Sequence, residues 1–187
     1  MTTYLTAAET TGLIRKALKE AFPAVKFTVR KSGSSVNVGW IDGPNSDQVK
    51  AVAGHFAGAY FDGMIDYQGS IKHMCNGQMV SMGIKYVFQQ RQYSREFIQS
   101  AIEKARPWAD LAEEPAGPTV EHYQEGRLWR FGAGFEDMVR RALWDTSKME
   151  PKASATVARY MIAGDDGYSR QCGGGYSAVS ADELLAA

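Results

Sequence analysis

The sequence predicts an α+β protein: an antiparallel or mixed sheet with helices packed on one face, followed by a mostly helical C-terminal region. Two observations carry this. Apolar residues recur at helical spacing in four separate stretches, and residues 26–30, 35–40 and 79–91 alternate apolar with polar at a period of two. The bulk composition agrees. With 187 residues, 44% hydrophobic and 22% charged, the chain has an ordinary globular balance and is long enough to bury a core without staples.

The first helix opens on Thr6-Ala7-Ala8-Glu9, a capping box in which hydroxyl and carboxylate each satisfy an orphan N–H. Leu13, Ile14, Ala17, Leu18, Ala21 and Phe22 then fall on one face, and Pro23 ends the helix. A hairpin follows, with Lys31-Ser32-Gly33-Ser34 as its turn. Its period puts Phe27, Val29, Val36, Val38 and Trp40 on one face, with Lys26, Thr28, Arg30, Ser35 and Asn37 on the other. A second helix carries Val49, Val52, Ala53 and Phe56. The stretch Gly58–Ser70 is glycine-rich and aromatic and reads as a short strand or an ordered loop. Met79–Arg91 reads as one long strand, with Val80, Met82, Ile84, Tyr86 and Phe88 inward and Ser81, Gly83, Lys85, Gln89 and Arg91 outward. Ser94 caps a third helix that holds Phe97, Ile98, Ala101, Ile102 and Ala105 and stops at Pro107.

Beyond it lies a composition break. Residues 108–125 contain Asp110, Glu113, Glu114, Glu121 and Glu125 with no Lys or Arg, and Pro115, Gly117 and Pro118 add linker character. The expected organisation is a helix–hairpin–helix–strand–helix module over 1–106, an acidic linker over 107–125 and a docked C-terminal α+β extension over 126–187. Within that extension Arg127–Phe131 is expected as a short strand. Phe135, Met138, Val139, Ala142 and Leu143 mark a fourth helix. Residues 154–162 fit helix or strand equally, 164–175 form a loop, and 182–187 a terminal helix. Trp129 and Trp144 are expected in the core.

Charge narrows the function classes. The 21 Lys and Arg balance the 21 Asp and Glu, which argues against a dedicated binder of many phosphates. The balance is segregated, however: residues 1–31 and 71–106 each hold six basic and two acidic groups. Cys75 and Cys172 form no metal or disulfide pattern, no apolar run approaches the ~20 residues of a membrane span, and the N-terminus lacks a signal peptide. The cytoplasm is the expected location.

No motif of nucleotide, metalloprotease or serine-hydrolase chemistry occurs. His55, His73 and His122 lack metal-ligand spacing. His73 with Cys75 supplies two donors and no third, so an ordinary histidine beside a small thiol is the simpler reading. Asp165-Asp166-Gly167 lacks the alternating oxygens of a calcium loop and reads as a turn. Gln171–Gly175, which contains Cys172, reads as a flexible loop rather than an anion nest. The pairs Glu113/Glu114 and Asp165/Asp166 read as solvated carboxylates. No catalytic, metal or cofactor-binding residue is therefore expected. The surface that stands out is the polar sheet face, where Lys26, Arg30, Asn37, Lys85 and Arg91 form a basic, hydrogen-bonding set for a partner.

Four segments carry a resemblance: the E-x-x-x-L-I-R-K-x-L-K-x-x-F-P opening, the K-F-T-V-R strand, the S-V-N-V-x-W-x-D-G-P segment and the Y-F-D-G-M-x-D stretch. Together, over about residues 7–66, they resemble the large polyvalent protein-associated domain, family 29. The resemblance implies a protein of phages or conjugative elements that acts in the bacterial host against restriction or CRISPR immunity. It supplies no catalytic residue. The expectation is a non-enzymatic protein that binds and blocks a host defence complex, a nuclease or CRISPR effector. The alternative is a nucleic-acid-binding accessory module that uses the basic sheet face.

Overall fold

The structure is a computed structural model and describes residues 2–112 and 114–168. The fold is α+β, and its chain divides into two compact units. The first takes in Met1–Trp40, Asp47–Gln90 and the chain from Pro151; the second takes in Ile41–Ser46 and Arg91–Glu150.

The first unit begins with β1 (Thr3–Tyr4) and α1 (Ala7–Ala21). The predicted capping box is present: the Glu9 N–H donates to the Thr6 hydroxyl at 3.2 Å, and the Glu9 carboxylate accepts from the Thr6 N–H at 2.7 Å. Ile14, Ala17, Leu18, Ala21 and Phe22 are buried, and Phe27 packs between Phe22 and Trp40, tilted by 52° to each ring, with centroids 5.9 and 5.8 Å away. The hairpin forms as β2 (Thr28–Ser32) and β3 (Ser35–Ile41), with Val29 opposite Val38 and Arg30 opposite Asn37. Next comes α2 (Ser46–Ala53), which runs into a single 3-10 turn at Gly54–Phe56 and buries Val49, Val52, Ala53 and Phe56.

The segment that read as strand or loop is a hairpin of β4 (Ala59–Asp62) and β5 (Tyr67–Cys75). β5 is the centre of a mixed sheet. It pairs antiparallel with β4, with β6 (Gln78–Ser81) and with a C-terminal strand, β8 (Tyr160–Asp165), while β1 pairs parallel to β6. Gly69, Ile71 and His73 are buried and Gln68, Ser70 and Lys72 exposed, so this sheet too has one covered and one open face. Residues 154–162 hold both readings in turn: α6 (Ala155–Arg159) leads directly into β8.

The expected single strand over Met79–Arg91 is two strands in two sheets. β6 ends at Ser81, and β7 (Tyr86–Gln92) joins β2 and β3 in a separate three-stranded sheet of order β2-β3-β7. The cause of the break is Gly83. A Cβ there would lie 2.3 Å from the Thr6 carbonyl carbon, and the Gly83 N–H donates to the Thr10 hydroxyl at 3.0 Å. The chain is pressed against the start of α1 and leaves the ladder to pass it. Parity changes across the break. Val80, Met82 and Ile84 are buried as expected, but in β7 it is Val87 that packs on Ala57, Tyr60 and Ile71, while Phe88 is 51% exposed.

The second unit contains α3 (Arg95–Ala105), α4 (Val120–Gln124) and α5 (Phe135–Asp145), capped in turn by Ser94, Thr119 and Gly134. Its core joins Phe97, Ile98 and Ile102 of α3 to Leu128, Phe131, Phe135, Val139 and Leu143. The expected boundaries at 106 and 125 differ from this division, because α3 gives its buried face to this core. The acidic stretch is built into the same core rather than strung out: Val120 is buried, and Ala109, Leu111 and Tyr123 pack against it. Leu128–Phe131 is a 3-10 turn instead of a strand, since burying two residues three apart suits a three-residue period. Trp129 and Trp144 are 66% and 52% exposed, not core. Glu113, the Gln171–Gly175 loop with Cys172 and the terminal helix expected over 182–187 lie outside the described residues.

Candidate functional site

The three-stranded sheet follows from its sequence period. Val36, Val38 and Trp40 turn inward to α1 and its neighbours, so the cross-strand pairs Thr28–Gly39, Arg30–Asn37 and Ser32–Ser35 point away from the core. On β7 the inward turn of Val87 puts Tyr86, Phe88 and Gln90 on this same open face. The Gly39 position lies beside β7: a Cβ there would be 3.8 Å from the Gln90 carbonyl. None of the three strands contains Asp or Glu.

Four of the five residues expected at this surface lie in the first unit. Arg30 is exposed and Asn37 half-exposed, adjacent across β2 and β3. Lys26 is exposed just before β2. Lys85 is exposed at the start of β7, its N–H donated at 2.7 Å to the carbonyl of Ser34 in the hairpin turn. Lys31, also exposed, lies opposite Val36 and so points to the other side of β2 from Arg30.

Arg91 has another task. It is half-buried and lies in the second unit. Its Nε donates to the Asp42 carbonyl at 2.9 Å, Nη1 to Leu143 at 2.9 Å, and Nη2 to Gly43 and Thr146 at 3.2 and 2.9 Å. Its guanidinium carbon also sits 4.9 Å from the Phe97 ring centroid. Burial pulls its pKa below the usual arginine value. A fork whose donors are committed to four carbonyls holds the fold rather than a partner.

The sequence reading missed the aromatic part of the face. Phe88 is 51% exposed, with Tyr86 beside it at a centroid distance of 6.3 Å. The Tyr86 hydroxyl donates at 2.9 Å to the Gln68 side chain, and Gln68 sits directly opposite Phe61, which is 55% exposed. Phe61, Gln68, Tyr86 and Phe88 thus form a connected row in the first unit. The exposure of Phe88 was invisible in the sequence because the unbroken alternation through Gly83 assigned the opposite parity to β7.

The other candidate groups are held structurally. His73 is buried and donates from Nε2 to the His55 carbonyl at 2.7 Å, and His55 Nε2 in turn meets the Tyr160 carbonyl. Burial lowers the pKa of both imidazoles. Asp166 accepts from the Tyr60 and Tyr67 hydroxyls at 2.6 and 3.0 Å and from the Ser70 N–H at 2.9 Å. Desolvation pushes its pKa up, but these hydrogen bonds outweigh it and hold the carboxyl at about 2. His122 accepts the Thr119 N–H at Nδ1, 3.1 Å away, and packs edge-on against Phe131. Among the described residues no group of three or more His, Cys, Asp or Glu is placed to hold a metal ion, and no helix is long and apolar enough to cross a membrane.

No curated protein and no solved structure matches the chain. Residues 5–94 match the family model of the large polyvalent protein associated domain 29, which extends the resemblance beyond residue 66 to the end of β7. The match spans the hairpin, the β4–β5 pair and the aromatic row alike, so the open face lies wholly within the matched residues.

Proposed function

We propose that this is a non-enzymatic accessory protein of a phage or mobile element that binds and blocks a host defence component. The action is of the anti-CRISPR or anti-restriction type, and the target is a nuclease or CRISPR effector complex in the bacterial cytoplasm. The observation that carries the reading is the open face of β2-β3-β7. Its strands contain no Asp or Glu, Arg30 stands on it beside Asn37 with Lys26 exposed just before β2, and it lies within the matched residues. An exposed sheet face of one charge sign favours a complementary surface and steers its approach. The context of the domain supports counter-defence as the purpose.

The test is a tagged pull-down from bacterial lysate that expresses restriction and CRISPR systems, treated with nuclease and read by mass spectrometry. A stoichiometric defence protein that survives nuclease and moderate salt is expected, and Arg30→Glu should release it. Failure to retain any defence component in that lysate counts against the reading.

A second reading follows from the same absence of acidic groups: the face meets nucleic acid directly, with Lys26, Arg30 and Lys85 against phosphates. Affinity would then fall steeply with salt.

A further inference from the structure

We propose that the open face of β2-β3-β7 takes single-stranded nucleic acid, with unstacked bases lying on Tyr86 and Phe88 and the backbone running along the hairpin past Arg30. This rests on the nucleic-acid reading above and goes further, naming the class of ligand and the residues that select it.

The first ground is the aromatic row itself. Phe88 leaves 51% of its surface exposed on the sheet face, with the Tyr86 ring 6.3 Å away, so together they offer an aromatic surface to a partner. Successive bases stack on such rings without regard to sequence, because every base offers a π-face. The row is also preorganised: the Tyr86 hydroxyl is tied at 2.9 Å to Gln68, whose strand position faces Phe61. A ring fixed in the free protein loses little freedom when a base covers it.

The second ground is charge. Arg30 lies two strands from Phe88, about 10 Å at the usual strand spacing. That places a guanidinium within a nucleotide's reach of a stacked base. Lys26 is exposed just before β2, Asn37 offers an amide beside Arg30, and no carboxylate interrupts β2, β3 or β7.

The third ground separates single strands from duplex. The Tyr86 and Phe88 centroids are 6.3 Å apart with planes inclined by 30°. Stacked bases in a duplex rise about 3.4 Å each. In a duplex both faces of each base are already covered by its neighbours, so only the bases of a splayed single strand can lie on these rings.

The experiment is fluorescence anisotropy of the full chain with labelled oligo-dT, oligo-U and a mixed-sequence duplex of equal length, over a salt series. Both single strands are expected to bind at least about 10-fold more tightly than duplex. Phe88→Ala should weaken single-strand binding by about 10-fold with its salt slope unchanged, and Phe88→Trp should restore it, as base stacking requires. Arg30→Ala should instead flatten the slope by about one phosphate contact. Because Phe88 is an exposed side chain, its variants test the face without disturbing the core. Equal affinity for duplex and single strand, with Phe88→Ala neutral, would overturn the stacking proposal while leaving phosphate contact intact. No binding of any oligonucleotide at low salt would remove the nucleic-acid reading together with it.

Discussion

Each unit has to hold a segment that returns to it from far away in the sequence, and the principal holder is a cation in one and a pair of carboxylates in the other. In the second unit the loop Ile41–Ser46 belongs with helices that begin about fifty residues later. Arg91 draws it in by donating to the carbonyls of Asp42 and Gly43 on one side and Leu143 and Thr146 on the other. Asp42 reinforces this by accepting the Ser94 N–H at 2.8 Å. In the first unit the returning segment is the one after Pro151, and carboxylates secure it. Glu20 accepts from the Ser154 hydroxyl at 2.7 Å and from the N–H and hydroxyl of Thr156 at 2.9 Å each. Asp166 binds Tyr60, Tyr67 and Ser70. A cation gathers the negative ends of peptide dipoles; an anion gathers N–H and O–H groups. The comparison teaches that these charged residues are closures between distant pieces of chain, not a reserve of binding groups.

Removing the cation should have the largest effect. Arg91→Ala leaves four carbonyls without their donor and is expected to cost about 3 kcal/mol in urea unfolding. Arg91→Lys should rescue little of it, because an ammonium cannot reproduce the planar fork. If Arg91→Ala is neutral, the closure of the second unit is apolar and the comparison fails.

Acid should separate the units next. His55 and His73 are buried with lowered pKa values, so the unfolded chain takes up protons more readily than the fold. Stability from this pair is present at neutral pH and is lost as pH falls below the ordinary imidazole value of about 6.5, at up to about 1.4 kcal/mol per pH unit for each group. Glu20 and Asp166 have pKa values held below their ordinary range. Their contribution is present above about pH 4 and disappears as pH falls towards the value of about 2 for Asp166. Hydrogen exchange between pH 7 and 5 should therefore show β8 and the amides of β5 losing protection before those of α5. Equal loss in both would mean that the histidines do not govern the first unit.

The smallest effect is expected from Asp166→Asn. An amide still accepts hydrogen bonds, and the site is exposed, so the cost should stay below about 1 kcal/mol. The Ser70 amide should nevertheless exchange faster, which localises the contact. Unchanged exchange there would assign the anchoring to Glu20 alone.

How much of this was legible in the sequence depended on the range of the cause. The capping box at Thr6–Glu9, the buried stripe of α1, the β2–β3 alternation and the helix after Ser94 are all set within a few residues, and all were readable. The break at Gly83 was not, because it is imposed by the backbone of Thr6, more than seventy positions away. That one omission hid Phe88 on the wrong side of its strand and made Arg91 look like a surface cation. At the candidate face, Arg30 and Asn37 were placed on one side correctly because the alternation within a hairpin is local. The aromatic row was missed because Phe61 and Tyr86 meet only through Gln68, across strands distant in sequence.

The central position of β5 also has a consequence for synthesis. The strand pairs with β8 in a register that sets Cys75 against Tyr160. A chain emerging from the ribosome therefore presents the Ile71–Cys75 part of β5, with N–H and C=O groups that β8 will take, for the whole interval in which residues 76–159 are being made. Contacts of such sequence separation form slowly, and an open strand edge invites pairing with another chain. The newborn protein accordingly passes through a stage in which its first unit has an exposed template for misassembly, and that stage ends only when the C-terminal strand arrives.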